Sequence, residues 1–209
     1  MSSSPVPPAP PTFPKQDPAS PAFWDARFDA NFTPWDQGGI PQSLANYIAH
    51  NPTPRKTLIP GCGSAHEVRF LAGLGWGVTA IDFSPAAVAF ARKLLGDLGN
   101  HVHEADFFGE ALSRQHFDAI YERAFLCALP RALWTEWAAR IAQLIPPHGR
   151  LFGFFFFDIN EKGPPFGTTP AQLSALLSAH FELIEDKVPI DSISVFAGKE
   201  RWQVWQRRA

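Results

Sequence analysis

Residues 56–90 contain the feature that most constrains how this chain can fold. A short apolar run leads into the glycine turn Gly61-Cys62-Gly63, and a second apolar run over residues 78–81 ends in Asp82. The segment between the two runs has apolar residues at helical spacing, and Ser84-Pro85 is typical of the start of a further helix. This order of strand, glycine turn, helix, strand and acid predicts one βαβ unit of a doubly wound, nucleotide-binding sheet.

The glycine turn and the acid have the chemistry of a cofactor site. Glycines at 61 and 63 let the backbone turn sharply and approach a ligand closely, and the following helix directs free amides towards that ligand. Asp82 lies 21 residues after Gly61, near the spacing at which a carboxylate accepts hydrogen bonds from ribose hydroxyls.

The third glycine of the dinucleotide fingerprint is missing, because His66 stands in its place. A bulky residue there disfavours close packing against a pyrophosphate. The pattern therefore favours an adenosine cofactor without phosphates, S-adenosylmethionine, over a dinucleotide. The alternative is a tight turn that binds no ligand, in which Asp82 only caps the next helix.

Length and charge limit the class of partner. The 209 residues suit one domain with a full core, and a formal net charge of −2 with a pI near 6.4 gives no basic surface for nucleic acid. No apolar run approaches the roughly 20 residues of a membrane span, and the N-terminus lacks the pattern of a signal peptide. We therefore expect a small-molecule partner, no nucleic-acid or membrane partner, and a monomer.

The two cysteines, Cys62 and Cys127, lie in apolar segments. No Cys or His spacing typical of a zinc site accompanies them. We expect reduced thiols in a cytoplasmic protein that has no metal centre.

The first fifty residues divide into two parts. Residues 1–20 are rich in Pro and Ser and poor in apolar side chains, which predicts a disordered tail. Residues 21–50 contain Trp24, Phe28 and Trp35 without a clean helical stripe. Two interpretations of these aromatic residues are open: a lid that covers the cofactor, or an aromatic plug under a loop.

Residues 100–107 predict a third strand that ends in Asp106-Phe107. At the carboxyl end of a strand, the carboxylate could accept a hydrogen bond from an adenine amino group while the ring stacks on the base. The alternative is an ordinary strand end without a ligand.

The fourth predicted strand, residues 117–121, runs into Glu122 and Arg123. Residues just past this strand face the ligand crevice of a doubly wound sheet, and a charged pair in apolar surroundings is costly unless it is paired or used. Arg123 is expected to meet a carboxylate, such as the methionine tail of the cofactor, or an anionic substrate. The alternative is a structural ion pair with Glu122 or a nearby acid.

The remaining segments complete one α/β domain over residues 21–209, with a lid over residues 21–50 and a Rossmann-like core over residues 56–209. The further predicted elements are helices over residues 130–145 and from Thr169-Pro170, and strands over residues 150–158, 181–188 and 201–206, the last at the sheet edge. Seven strands with helices between them predict a doubly wound, mostly parallel sheet.

At this point the chain resembles the thiopurine S-methyltransferase family over residues 22–208. The segments that carry the resemblance, in the order in which that family has them, are FWDARF, TPWDQGG, IPGCGSAHE, AIDFS, ADFF, FDAIYERAFLCAL, GPPFGTT and ERWQVWQ. They are most similar to the family's thiol and halide methyltransferase branch. The resemblance implies a class I S-adenosylmethionine-dependent methyltransferase fold with an antiparallel last strand.

The resemblance also implies residue roles. The implied cofactor contacts are Trp24, Trp35, Gly61, Gly63, Asp82, Phe83, Asp106, Phe107 and Arg123, and the implied substrate contacts are Phe28 and Phe166. Arg123 matches thiopurine-type members, whereas the thiol and halide branch has an aromatic residue there. Phe28 stands where that branch often has tryptophan, so the sequence mixes features of both.

The expected reaction is S-methylation of a thiol or thiopurine sulfur, with S-adenosylhomocysteine as the second product. Because a soft nucleophile displaces an already activated methyl group, the protein mainly supplies orientation and a dry site, and a thiolate needs no strong base. We expect Arg123 to position an anionic acceptor, and Phe166 with the lid aromatics to exclude water.

Other functions stay open. Within the class, the acceptor could be a halide, thiocyanate, or an oxyanion of selenium or tellurium. A nicotinamide-dependent oxidoreductase is opposed by His66 and by the lack of a catalytic Tyr-Lys or His-Asp set. A catalytically silent cofactor binder is opposed by the complete set of Trp35, Gly61, Asp82 and Asp106.

Overall fold

The computed structural model of the protein describes residues 11–209 and contains a seven-stranded sheet with helices on both faces. The strands are β1 (Lys56–Pro60), β2 (Gly77–Asp82), β3 (Val102–Glu104), β4 (Ala119–Arg123), β5 (Arg150–Phe156), β6 (Phe181–Lys187) and β7 (Glu200–Arg207). The helices are α1 (Pro21–Asp29), α2 (Gln42–His50), α3 (His66–Gly73), α4 (Pro85–Leu95), α5 (Trp134–Leu144) and α6 (Pro170–Leu177).

The strand order is β3-β2-β1-β4-β5-β7-β6. Strands β1 to β5 are parallel, whereas β7 runs antiparallel to both β5 and β6. The predicted doubly wound sheet with an antiparallel last strand is therefore confirmed. The order reverses between β1 and β4, and a doubly wound sheet binds its ligand in the crevice at that point.

The last strand lies inside the sheet, so its prediction as an edge strand was wrong. β7 inserts between β5 and β6, and the edge is β6. Trp202 and Val204 are buried on one face of β7, and Trp205 is buried on the other. Burial on both faces is typical of an inner strand.

Two apolar layers sandwich the sheet. Alternate residues of β1 serve different layers, because neighbouring side chains on a strand point to opposite faces. Ile59 packs in the layer formed with α2, α3 and α4, and Leu58 packs in the layer formed with α5 and α6.

Several elements are shorter than predicted. β3 ends at Glu104, so Asp106-Phe107 lies in the loop beyond it. Residues 131–133 form a 3₁₀ turn, and α5 begins only at Trp134. The helix ending at Leu177 has the predicted start, since Thr169 and Gln172 form a capping box.

The predicted disordered tail, residues 1–20, lies outside the described residues over its first ten positions. Residues 11–20 contain no helix or strand, but they contact the lid. The Phe13 ring lies 5.6 Å from the Phe32 ring, and the Arg27 guanidinium lies 4.6 Å from the Phe13 centroid. Across residues 11–209, none of the helices has both the length and the apolar character that crossing a membrane requires.

Candidate active site

A cavity of about 750 Å³ lies at the carboxyl ends of the central parallel strands. Its floor includes Gly61 after β1, Asp82 at the end of β2 and Arg123 at the end of β4. The segment that contains α1 and the following loop covers it, with Trp24 and Trp35 in the wall. The fold therefore brings most of the predicted site residues into one crevice.

The glycine turn places backbone, with no side chain, against the cavity. Gly61 and Gly63 have φ values of +56° and +51°, in the region that favours glycine. A Cβ at Gly61 would lie 2.4 Å from Cδ2 of Phe125. Alanine there would push a ring of the cavity wall, so the turn requires glycine for its conformation and its space.

Asp82 accepts two backbone hydrogen bonds at the cavity, and the N-cap of α4 is Ser84 and not Asp82. It is 8% exposed, and its two carboxylate oxygens accept hydrogen bonds from Gly63 N (3.0 Å) and Ser84 N (2.9 Å). Each oxygen keeps further acceptor capacity towards the cavity that it lines. Burial raises the pKa of Asp82 to about 6, and the backbone hydrogen bonds oppose that shift.

Asp106, Phe107 and Phe83 line the same cavity. Asp106 is exposed, and one of its oxygens accepts from Phe108 N at 2.9 Å. The Phe107 ring is buried and packs edge-on against Phe125, with centroids 5.1 Å apart. A free carboxylate oxygen beside a ring is the arrangement that an adenine amino group and base would use.

The lid aromatics pack against one another and against the glycine turn. Trp24 and Trp35 meet edge to face at 5.6 Å, and Phe28 lies 6.3 Å from Trp35. A Cβ at Gly63 would lie 3.6 Å from Cζ of Phe28. All three rings line the cavity, and the lid over residues 21–50 stays a prediction.

Two lid carboxylates that the sequence analysis did not single out hold this segment in place. Asp25 on α1 accepts hydrogen bonds from Ser84 Oγ (2.6 Å) and Ala86 N (3.1 Å) at the start of α4. This contact holds α1 against the N-terminal end of α4. The acid of the FWDARF segment was the signal that could have revealed it.

Asp36, in the TPWDQGG segment, forms the second attachment. It accepts hydrogen bonds from Ser64 Oγ, from His66 Nε2 (2.9 Å) and from Gly38 N (2.8 Å). His66, which replaces the third glycine of the dinucleotide fingerprint, is thus a lid contact. Burial alone would raise the pKa of Asp36, but the bonds from His66, Ser64 and Gly38 hold it well below its usual range. The bond to Asp36 raises the pKa of His66.

Lid attachment is expected to depend on pH through this pair. Asp36 stabilises the attached lid above about pH 4, the pKa that this residue has in the unfolded chain. His66 stabilises the attached lid fully below its unfolded pKa near 6.5, and this stabilisation fades as pH rises through the raised pKa of His66 in the folded protein. Attachment should be strongest between about pH 4 and 6.5. Tryptophan fluorescence, to which Trp24 and Trp35 contribute together with five other tryptophans, should change as pH rises beyond that window. His66→Gln should remove the change, and an equal change in that variant would contradict this origin.

Arg123 and Glu122 do not form the ion pair that the sequence left open. Glu122 Oε1 accepts from Phe125 N (2.9 Å) and Leu126 N (3.0 Å), on the other side of the strand. The Arg123 guanidinium lies 4.9 Å from the centroid of the Phe154 ring. Its Nη1 atom is buried and finds no hydrogen-bond acceptor within residues 11–209.

Phe166 does not line the cavity, contrary to its prediction as a substrate contact. The wall of this loop is made by Gly163, Pro164 and Pro165. Phe166 packs instead with the apolar layer of α5 and α6, and its backbone N donates to Cys127 O at 2.7 Å. The ring therefore supports the loop from behind.

The described part of the chain, residues 11–209, contains no group of three or more His, Cys, Asp and Glu side chains that could hold a metal ion.

Comparison with solved structures shows which known fold the chain has. The chain superposes on 1,6-didemethyltoxoflavin-N1-methyltransferase of Burkholderia thailandensis, solved with S-adenosylhomocysteine, with a TM-score of 0.69, 20% identity, and coverage of 96% of this chain and 95% of that chain. The likeness shows the fold. That fold is the Rossmann-like methyltransferase fold, and its crevice contains the glycine turn, the acid after β2 and the lid aromatics.

The family follows from the sequence comparisons. The chain belongs to the thiopurine S-methyltransferase family, whose profile matches residues 19–208. It is 29% identical to a probable thiol methyltransferase 2 of Arabidopsis thaliana over 74% of this chain and 70% of that protein. It is 24% identical to thiocyanate methyltransferase 1 of the same plant, over 88% of this chain and 84% of that protein.

Proposed function

We propose that this protein methylates the sulfur of a small thiol, with S-adenosylmethionine as methyl donor. The observation that carries the proposal is one cavity in which the acid after β2, the glycine turn and the half-buried Arg123 meet under an aromatic lid. Membership of the thiopurine S-methyltransferase family supports the reaction type.

The residues present fit the cofactor. Asp82 offers acceptor capacity to ribose hydroxyls, and the free oxygen of Asp106 beside Phe107 suits an adenine amino group. The close backbone at Gly61 suits the methionine tail of the cofactor, and Arg123 Nη1, which has no acceptor within residues 11–209, is left for the methyl acceptor. A volume of about 750 Å³ is in the range that holds a drug-sized ligand, with room for an organic acceptor beside the cofactor.

When bound, S-adenosylmethionine supplies an activated methyl group on a positively charged sulfur. The chain then has three tasks. Asp82 and the glycine turn orient the ligand, the lid aromatics Trp24, Phe28 and Trp35 exclude water, and Arg123 stabilises negative charge on the acceptor. Orientation in a dry site is the main source of rate, because the methyl group needs no further activation.

A second acceptor class has support from one relative and one residue. The Arabidopsis protein named thiocyanate methyltransferase 1 matches most of this chain, and the unpaired guanidinium of Arg123 could hold a small anion. Thiocyanate is therefore the alternative acceptor, with halides and oxyanions of selenium or tellurium behind it.

We further propose that the protein acts in a reducing, cytoplasmic setting, which is supported by the free thiols of Cys62 and Cys127. The monomeric state stays a prediction, as does the absence of a nucleic-acid partner.

Arg123→Ala should lower the rate of methyl transfer by about 10- to 100-fold, since a hydrogen bond to a charged group contributes about 1.5–3 kcal/mol. Initial rates at saturating cofactor, with the affinity for S-adenosylhomocysteine measured by calorimetry, test this. The matched control is Arg201→Ala, which removes the exposed ion pair between Arg201 and Asp186 and should keep full activity. Unchanged transfer and unchanged cofactor affinity in Arg123→Ala would remove its role.

A further inference from the structure

We propose that Glu67 is the proton acceptor that converts a neutral thiol substrate into the attacking thiolate, an inference that rests on the proposed S-methylation. Glu67 is the second residue of α3 and lines the cavity floor. An acceptor that arrives as a thiol carries a proton that must leave before or during methyl transfer. The unionised thiol is the weaker nucleophile, so a nearby base has a defined task.

The carboxylate of Glu67 is buried without a side-chain partner. The residue is 7% exposed, and its own backbone N–H lowers the pKa of its carboxyl, but within residues 11–209 no other side chain donates a hydrogen bond to it or forms an ion pair with it. A buried carboxylate without a side-chain partner is costly, and such groups in a cavity are candidates for ligand contact.

Arg123, at the end of β4, is the positive charge that acts most strongly on Glu67. It acts on the charge of Glu67, yet the two side chains are too far apart to form an ion pair. Arg123 Nη1 also lacks an acceptor within the described residues. Both groups line the same cavity, so a ligand bound there could donate to one and accept from the other.

A neutral thiol meets both requirements. Its S–H can donate to Glu67, and its sulfur can accept from Arg123, whose charge then stabilises the thiolate. A halide or thiocyanate ion carries no proton, so it can use Arg123 only and is repelled by an ionised Glu67. The pair thus favours a thiol that is protonated in solution.

The other titratable groups around Glu67 are occupied or protonated. Asp36 and His66 bind each other through the lid contact. Burial raises the pKa of the Cys62 thiol and of the Tyr121 hydroxyl well above their usual values, so both stay neutral near pH 7.

Burial also raises the pKa of Glu67, while Arg123 lowers it. A shift towards neutrality makes a carboxylate a better general base. The geometry and the charge balance therefore point to the same residue.

The proton and electrons balance in the proposed step. The acceptor sulfur gives its proton to a Glu67 oxygen and uses its electron pair to form a bond with the methyl carbon. The bond from that carbon to the sulfonium sulfur breaks, and its electron pair stays on that sulfur, which becomes the neutral thioether of S-adenosylhomocysteine. The proton on Glu67 passes to solvent when the products leave.

Glu67→Gln separates this role from a structural one when two thiols are compared. One thiol is protonated at the assay pH, and the other is an aryl thiol of low pKa that is already ionised. The variant should lose about 100-fold or more in rate with the protonated thiol, the scale of general-base catalysis, and less than about 3-fold with the ionised thiol. Its rate with the protonated thiol should rise tenfold per pH unit up to the pKa of that thiol.

Glu136→Gln is the matched control, because Glu136 also borders the cavity but is exposed. It should behave as the unchanged protein does with both thiols. Affinity for S-adenosylhomocysteine, measured by calorimetry, should change less than about 3-fold in Glu67→Gln, which also shows that the variant is folded.

Three results would overturn the inference. Equal losses with both thiols, or a large loss of S-adenosylhomocysteine affinity, would make Glu67 a ligand of the cofactor's ammonium group. An unchanged rate with the protonated thiol would leave Glu67 without a role as base. Absence of transfer by the unchanged protein to either thiol would contradict the proposed function itself, which is a different outcome from the others.

Discussion

Asp82→Asn should weaken binding of S-adenosylhomocysteine by about 100-fold or more. Two hydrogen bonds from ribose hydroxyls to a carboxylate contribute about 1.5–3 kcal/mol each, and each 1.4 kcal/mol is a factor of ten in affinity. Asp82 now accepts hydrogen bonds from two backbone donors, Gly63 N and Ser84 N. The amide of asparagine would turn an NH₂ group towards one of them, and two donors cannot form a hydrogen bond. Isothermal titration of the folded variant measures the loss.

Asp118→Asn is the matched control for that substitution. Asp118 is exposed, accepts a hydrogen bond from Lys56 N at 2.9 Å, and lies outside the cavity wall. Its variant should bind the ligand as the unchanged protein does. Equal affinities of Asp82→Asn and Asp118→Asn would contradict the placement of ribose at Asp82.

The affinity should also depend on pH through Asp82. Burial raises the pKa of this carboxyl to about 6 in the free protein, and hydroxyl donors favour its charged form. Ligand binding therefore lowers the pKa, and affinity should fall as pH drops through about 6. Titrations across that range should show proton release on binding below pH 6, and the Asp82→Asn variant should not.

Gly153→Ala should destabilise the protein by more than about 4 kcal/mol, among the largest effects of a single substitution. Gly153 on β5 pairs with Glu122 on β4 and has φ +144°, and an added Cβ would lie 1.9 Å from the Glu122 carbonyl oxygen. The two central strands would have to separate at the point that positions Glu122 and Arg123. For a domain of this size the melting temperature should fall by about 8–16 °C.

Gly73→Ala is the control for this effect. Gly73 ends α3, has no atom within 4 Å of an added Cβ, and has a φ that other residues adopt. Alanine there should change the free energy of unfolding by no more than about 1 kcal/mol, in the stabilising direction. Equal melting temperatures of the two variants would show that β4 and β5 tolerate a side chain at position 153.

The local features were predictable because their causes are local. The glycine turn at Gly61, the cap at Ser84 and the helix start at Thr169 each depend on residues within a few positions of each other. The buried run of β5 and the spacing to Asp82 follow from strand periodicity and from the βαβ unit.

The long-range features could not be obtained in this way. β7 lies between β5 and β6, where both of its faces are buried. The residue pattern of a single strand does not show which strands lie beside it. Asp25 bonds to Ser84, 59 residues away, and Asp36 bonds to His66, 30 residues away. Their acids were visible in the sequence, but their partners were not.

The ion pair between Glu122 and Arg123 is an alternative that strand geometry alone disfavours. Glu122 and Arg123 are neighbours on one strand, so their side chains point to opposite faces and an ion pair between them is disfavoured. Glu122 caps the turn at Phe125 on one face, and Arg123 on the other face lines the cavity, where its charge acts on Glu67. Phe166 was misplaced because a ring in a proline-rich loop can turn either way, and nothing in the segment specifies the direction.

The most direct measurement is methyl transfer from radiolabelled S-adenosylmethionine to a panel of acceptors: a thiopurine, an aryl thiol, hydrosulfide, iodide, thiocyanate, selenite and tellurite. The account predicts label on at least one of the sulfur acceptors, the thiopurine, aryl thiol or hydrosulfide, with one S-adenosylhomocysteine formed per methyl group and no transfer by Asp82→Asn at limiting cofactor. Label on iodide, thiocyanate, selenite or tellurite alone, or no transfer to any acceptor by protein that binds S-adenosylhomocysteine, would contradict it.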